Sequence, residues 1–321
     1  MLYILSDSFD PYFNLATEEY LLKNKTEDIF FLWRSPPAVV VGKHQNALAE
    51  INYKYVRENN ILVARRLSGG GTVVHDLQNL NFSFISKGEE GKLIDFKKYI
   101  SPVIDYLATI GLQATIGEKN DIRINDLKIS GNAEHVFRKR VLHHGTLLFN
   151  SDLEQLRKAI QVTQGLYFDK AVQSNRSGVT NITNHLSTKL KIEEFVEGLS
   201  THIMQQAAKS YKLSTEETEL INNLKTEKYK TTEWIFGYSP RYNFKNSFIF
   251  NNQIWDIELH IEKGKIVNSK IIIEGSQNKL LEEKLLHSWH LYDPVLKLLK
   301  TTSLSTYEKD ISRMCNYFFS V

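Results

Sequence analysis

Cysteine is almost absent from this chain of 321 residues, Cys315 being the only one. A single thiol excludes an intrachain disulfide and any multi-cysteine metal site, and it fits a reducing compartment. Long apolar runs are missing too. The longest, such as 29–33 and 38–42, fall far short of the ~18–20 residues that cross a bilayer. The opening MLYILSDSFDP has no basic stretch, and Asp7 and Asp10 interrupt what would be the apolar core of a signal sequence. The expectation is a soluble, cytoplasmic protein with no membrane partner. Nor does one sign of charge dominate: 40 Lys plus Arg against 37 Asp plus Glu leave a formal +3. A pI near 8.6 is too mild to argue for a nucleic-acid partner. Repeats of about 20 to 50 residues and low-complexity tracts are absent, which sets aside solenoids and linker-rich arrays.

What is present is an ordinary globular balance, 42% hydrophobic and 24% charged. That excludes a disordered tail, and at about 150 residues per domain the length argues for two domains. The pattern is mixed α and β. Residues 1–5 read as a strand, after which Asp10 caps a helix with Pro11 in its first turn. Segments 28–34, 38–44, 61–66, 80–86, 121–125, 127–133 and 141–150 are β-rich runs bounded by Pro, Gly, Asn or Asp. Many of them adjoin with no helix between, so hairpins must join them and the large sheet should be mixed or mostly antiparallel, not a doubly wound Rossmann sheet. Helices are expected at 95–110, 153–160 and 192–209. Beyond an aromatic, turn-rich segment at 234–244, strands punctuated by Asn251-Asn252 and Lys263-Gly264 precede helices at 282–287, 292–300 and 305–318. The last opens on Ser305 and Glu308, a candidate capping box. The expected fold class is thus α+β, with a large domain over 1–243 and a small α/β domain over 244–321.

The densest chemical signal is ARRLSGGGTVVHD, where a strand runs into three consecutive glycines and leaves as another strand. Glycines let backbone N–H groups approach a ligand with no Cβ in the way, and Arg65 and Arg66 supply charge for a carboxylate or phosphate; a loose turn beside two solvated arginines is the plainer alternative. Neither G-x-G-x-x-G nor G-x-x-x-x-G-K-[ST] is present. The second signal is NDIRINDLKISGNA, in which Asn125-Asp126 forms a turn between two short strands. Alternation places Leu127, Ile129 and Gly131 on one face and Lys128 with Ser130 on the other. If that second face borders a pocket, one ammonium can bind a carboxylate and a phosphate oxygen together; a solvated edge-strand lysine is the plainer alternative. In HHGT the neighbours His143 and His144 face opposite ways, a poor metal chelate, and with His75-Asp76 they show no regular ligand spacing. Either His75 or His144 can line a pocket or sit hydrogen-bonded in the core. Residues 176–181, RSGVTN, suit a loop that orders on binding.

In combination NLATEEYLL, FFLWRSPPAVVVGKHQN, ARRLSGGGTVVHD, NDIRINDLKISGNA, HHGTLLFNSDL, RSGVTNI and WIFGYSP resemble the lipoate-protein ligase A family over nearly the whole chain. The resemblance implies a large domain of the biotin/lipoate ligase type. It also implies a two-step reaction: lipoate and MgATP give lipoyl-AMP, and the acyl group then passes to a lysine of a lipoyl-domain acceptor. The acceptor would be an E2 subunit of a 2-oxoacid dehydrogenase or the glycine-cleavage H protein. By position, Lys128 would be the catalytic contact to the carboxylate and α-phosphate. The lipoate site would comprise Glu18, Trp33, Arg65, Arg66, Ser68, Gly69, Gly70, Gly71, His75 and His144. The nucleotide would meet Thr72, Val73, Asn120, Asp121, Lys128, Arg176, Gly178, Val179 and Thr180, with Asp121 on the Mg²⁺ that accompanies ATP. On the same resemblance lipoate and ATP would be substrates, with no permanently bound cofactor, and a monomer is expected.

Three positions depart from the family pattern: Gln78 replaces a glycine after the H-D pair, and Glu118-Lys119 stands for a usual G-R. Lys119 keeps the charge without the planar fork of arginine. Three rival readings follow. An octanoyl or lipoyl transferase without ATP would need a thiolate nucleophile, for which only Cys315 exists. A biotin ligase would carry a G-R-G-R-x-G loop, which is absent. A non-catalytic lipoate or acyl-adenylate binding protein would not need Lys128, Asp121 and the whole glycine loop together.

Overall fold

The computed structural model describes residues 1–174, 177–205, 209–302 and 310–320. It divides into two compact units, Met1–Gly42 with Ala64–Leu156 and Ser174–Lys230, and Lys43–Val63 with Arg157–Gln173 and Thr231–Val321. Every described residue singled out above for chemistry lies in the first unit, apart from Cys315. The expected boundary at 243/244 falls inside the strand Tyr242–Phe250 of the second unit, which also draws in two segments from earlier in the chain.

The first unit is built on a six-stranded sheet in the order Asn132–Phe137, Arg140–Leu148, Asn79–Lys87, Ile29–Trp33, Leu2–Leu5, Lys209–Ser210. Pairing is antiparallel except on both sides of Leu2–Leu5, where it is parallel. The sheet is mixed and mostly antiparallel, as the hairpin argument requires. Its two faces differ in chemistry. Phe30, Leu32, Leu80, Phe82, Phe84 and Leu147 join the main apolar core with Ile100, Val103 and Leu107 of the helix Phe96–Thr109 and Phe195, Leu199 and Ile203 of the helix Ile192–Met204. Each such side chain contributes about 1.5–3 kcal/mol by leaving water. On the other face, register sets Trp33 opposite Asn81, His144 opposite Ser83 and Thr146 opposite Asn81, and directly opposed side chains share a face. That face is polar and yet buried.

The helix Pro11–Asn24 starts as expected, with Asp10 Oδ1 accepting the N–H groups of Tyr12 and Phe13. Two expectations need correction. The helix at 192–209 ends at Met204, and Lys209–Ser210 is instead an edge strand beside Leu2 and Tyr3. The run 127–133 is two strands, Leu127–Ser130 and Asn132–Phe137, in different sheets. The break is at Gly131, whose N–H turns to Thr146 Oγ1 (3.2 Å). An unexpected helix, Thr215–Leu224, opens on a capping box between Ser214 and Glu217.

The second unit carries a five-stranded antiparallel sheet, Tyr167–Asp169, Tyr242–Phe250, Gln253–Glu262, Lys265–Ile273 and Ser276–Gln277. Its hairpins turn at Asn251-Asn252, Lys263-Gly264 and Glu274-Gly275, both residues of each turn having positive φ, the geometry that matches strand twist. Helices Lys279–Leu285, Tyr292–Leu299 and Ile311–Asn316 follow. Ser305 and Glu308 lie outside the described residues.

Candidate active site

Lys128 stands on the strand Leu127–Ser130, joined to Ile122–Ile124 through Asn125-Asp126, two residues with positive φ. Its backbone is flanked by the 178–180 segment: Lys128 N–H donates to Gly178 O and Thr180 N–H to Lys128 O, each at 3.0 Å. The ammonium folds back over Gly131. A Cβ built on Gly131 would sit 3.3 Å from Lys128 Nζ and 3.7 Å from Val73 Cγ1, so the amine lies beside the first strand leaving the glycine loop. Burial pushes its pKa down, Asp121 opposes this, and Arg123, Arg66 and Lys119 reinforce it. A half-buried cation in a cationic neighbourhood favours an anionic visitor.

Asp121 receives Arg123 on Oδ2 (Nε 2.9 Å, Nη2 2.8 Å). Its Oδ1 is buried with no partner among the described residues. Asn120 adopts positive φ in the turn before it and accepts Asn132 Nδ2 on its carbonyl.

The glycine loop is held from within. Arg66 donates from Nε to Ser68 Oγ (2.9 Å), from Nη1 to Val40 O (3.1 Å), and from Nη2 to Gly69 O (2.6 Å) and Gly71 O (2.7 Å). Burial lowers its pKa to about 10 while Glu18 raises it. Arg65 is fully buried, with Nη1 on Gly42 O. The two arginines expected to offer charge at the loop mouth thus direct these donors to main-chain carbonyls and to Ser68. Gly70 needs its positive φ of 82°. Thr72 N–H donates to Ser174 Oγ, so residue 174 lies against the loop. Arg176 lies outside the described residues.

On the polar sheet face, Ser68 Oγ meets His144 Nε2 at 2.6 Å, His144 Nδ1 meets Glu18 Oε2 at 3.0 Å, and Ser83 Oγ donates to Glu18 Oε1 at 2.6 Å. Trp33 meets His75 edge-on at 5.3 Å between centroids. Burial first, then Arg66 and His144, drives the His75 pKa down to about 3, so this ring is neutral. Trp33 Nε1, His75 Nδ1, Asn79 Oδ1 and Asn81 Nδ2 are buried with no hydrogen-bond partner among the described residues. Each such atom costs about 1–3 kcal/mol unless a ligand or water meets it. Strand register and alternation set Trp33, Asn79 and Asn81 on one face of the six-stranded sheet, and His75 meets that face through the Trp33 ring. Sequence reading missed Asn79 and Asn81. Their signal was the alternation N-L-N-F-S in 79–83, which gives a buried strand one face that is not core.

His143 is the core histidine: buried, stacked on Tyr99 at 5.1 Å, its Nδ1 3.0 Å from Glu134 Oε1. The two neighbours do face opposite ways. Asp76 accepts Ser151 Oγ–H and the N–H groups of Gln78 and Asp152. Asn181 brackets Ser151 through both its amide atoms, which anchors the end of the 176–181 segment. Among the described residues no group of three or more His, Cys, Asp or Glu is arranged to hold a metal ion, and no helix is long and apolar enough to cross a membrane.

Solved structures share this arrangement of sheets and helices. A lipoate-protein ligase A bound with ATP superposes at a TM-score of 0.64 with 26% identity, over 74% of this chain and 98% of that one. A bi-partite lipoate protein ligase from Thermoplasma acidophilum, studied with its E2 lipoyl domain, gives 0.63 with 25% identity over 74% and 96%. The fold is of the biotin/lipoate ligase type. In sequence, the chain is 37% identical over 311 residues to lipoate–protein ligase 1 of Staphylococcus aureus, covering 95% of this chain and 94% of that protein. It is 40% identical over 268 residues to lipoate-protein ligase LplJ of Bacillus subtilis, covering 82% and 81%. The lipoyl protein ligase A/B catalytic domain matches residues 10–204. The chain belongs to that family.

Proposed function

We propose that the protein is an ATP-dependent lipoate–protein ligase. The observation that carries this is the Lys128 ammonium, half-buried and folded over Gly131 beside the glycine loop, next to a sheet face with unpartnered polar atoms. In the first step a carboxylate oxygen of lipoate attacks the α-phosphorus of ATP, and pyrophosphate leaves. Lys128 touches both reacting anions and stabilises the charge that builds between them. In the second step the amine of an acceptor lysine attacks the acyl carbon; AMP leaves and the amine's proton is lost to solvent. Gly178, Val179 and Thr180 run along Lys128 and, with Thr72, Val73 and Asn120, form the nucleotide side. Asp121 Oδ1 fits a cation that arrives with the phosphates, which needs only one or two protein carboxylates. Asp121 would hold Mg²⁺, which supplies neutralisation of the pyrophosphate charge.

The acyl side is the glycine loop with Trp33, His75 and His144. Four methylenes contribute roughly 3 kcal/mol on burial, too little for useful affinity without the charged end, so the lysine is needed for binding as well as chemistry. Such a pocket discriminates weakly between chains, and octanoate should be accepted too. The acceptors would be lipoyl domains of 2-oxoacid dehydrogenase E2 subunits or the glycine-cleavage H protein, met by a monomer in the cytoplasm. Against a thioester-forming transferase, Cys315 is buried in the second unit and burial pushes its thiol pKa up.

The test is to incubate purified protein with lipoate, ATP and an apo lipoyl domain, and weigh the domain. One lipoyl group on one lysine, strictly dependent on ATP, is expected. Acyl transfer from an octanoyl thioester with no ATP would replace this reading by the transferase.

A further inference from the structure

A chain of hydrogen bonds crosses the candidate site from the helix Pro11–Asn24 to the glycine loop: Ser83 to Glu18, Glu18 to His144, His144 to Ser68, Ser68 to Arg66, and Arg66 to the carbonyls of Gly69 and Gly71. We propose that Glu18 is a positioning residue: acting through His144 and Ser68 it fixes the glycine loop, and it makes no contact with the acyl substrate. The proposal rests on the acyl-activating reading of the site and names a role for Glu18 different from the pocket wall that resemblance suggests.

The chemistry of each link sets its direction. A carboxylate only accepts, so His144 Nδ1 carries the hydrogen shared with Glu18. In the neutral ring Nε2 is then an acceptor, and Ser68 Oγ–H donates to it. The Ser68 oxygen in turn accepts Arg66 Nε–H. Glu18 is 2% exposed, and both of its oxygens are engaged, Oε1 by Ser83 and Oε2 by His144. A buried anion so engaged suits neither an apolar chain nor an acid substrate of the same charge. It does suit Arg66, a buried cation with no carboxylate bonded to it among the described residues. Ser68 and the His144 ring relay between Glu18 and Arg66, and the loop's conformation depends on the arginine that gathers its carbonyls.

The Ser68–His144–Glu18 order also resembles a nucleophile, base and orienting acid. Two features favour positioning: Ser68 is fully buried, and its oxygen already accepts the Arg66 N–H. A covalent probe decides between the two.

Three measurements test the proposal. Nitrogen-15 NMR of histidine-labelled wild-type protein should show His144 protonated at Nδ1 and bare at Nε2; the opposite tautomer would overturn it. In pyrophosphate exchange, Glu18→Gln and Ser68→Ala should each lower kcat/KM for lipoate by about 10- to 100-fold. The double variant should stay within about 3-fold of the worse single one, because the residues act as one unit. The preference for lipoate over octanoate should not move. Multiplying effects, a changed preference, or fluorophosphonate labelling of Ser68 would each contradict it. Should Glu18→Gln not fold, the wild-type tautomer and Ser68→Ala decide. Wild type inactive in exchange would instead count against the ligase reading, and the NMR result would still judge the relay.

Discussion

At the scale of the residue, Lys128 carries opposed demands. Burial disfavours its charged form and holds its pKa below the ordinary 10.5. The folded state therefore binds fewer protons at this site than the unfolded one, and the stability it contributes rises with pH through that range. Two outcomes follow. The alkaline limb of kcat/KM, which reports the free enzyme, should have its midpoint below 10.5, and that of kcat should lie higher, because a bound anion favours the ammonium. Lys128→Met should abolish activity while raising stability at neutral pH by about 0.5–2 kcal/mol in urea unfolding. Lys128 was legible in the sequence because alternation along a short strand assigns its face, and the same rule separated His143 from His144. The destination of Arg65 and Arg66 was not. A double arginine before three glycines reads as charge for a ligand, and only the fold reveals carbonyls of Val40, Gly42, Gly69 and Gly71 within reach of its donors.

At the scale of the element, two contacts set how firmly the site is mounted. Gly145 lies in the strand Arg140–Leu148, one residue after His144. A Cβ there would fall 2.1 Å from Asn132 Oδ1 and 2.5 Å from Phe82 Cζ. Gly145→Ala should cost about 1–3 kcal/mol in urea unfolding, whereas Gly69→Ala, whose Cβ meets nothing within 4 Å, should cost far less. The helix that carries Glu18 is tied down by Glu19, which accepts Tyr229 Oη (2.6 Å) and pairs with Lys23 and Lys228. Burial would raise the Glu19 pKa, but hydrogen bonds from Lys228, Lys23 and Tyr229 outweigh it and hold it below 4.5. A depressed carboxyl stabilises the fold above its unfolded value, and the contribution is lost as pH falls through the folded one. The stability gap between wild type and Glu19→Gln should therefore be largest near neutrality and close below pH 4.5. A gap that does not change with pH would refute the assignment. Elements with strong local chemistry were legible: the Asp10 cap, the hairpin at Asn125-Asp126, and the turns Asn251-Asn252 and Lys263-Gly264 of the second sheet. The helix Thr215–Leu224 was not, because only Glu217 and Ile221 are buried along it and so few apolar positions give no readable stripe.

At the scale of the whole molecule, sequence order misleads about compactness. Residues 43–63 and 157–173 group with the C-terminal strands and helices, a discontinuity no composition shift announces, since long-range packing alone creates it. The second unit holds the sole thiol, and the ligase chemistry needs none. Cys315→Ala should retain both adenylation and acyl transfer per folded molecule; loss of transfer with adenylation intact would point to an acyl-thioester intermediate. The direct trial of the whole account is lipoate-dependent exchange of labelled pyrophosphate into ATP, run side by side on wild type, Lys128→Ala and Lys128→Arg. Exchange by wild type alone is the expected result, since a guanidinium is wider than the ammonium it replaces. Undiminished exchange by Lys128→Ala would contradict it.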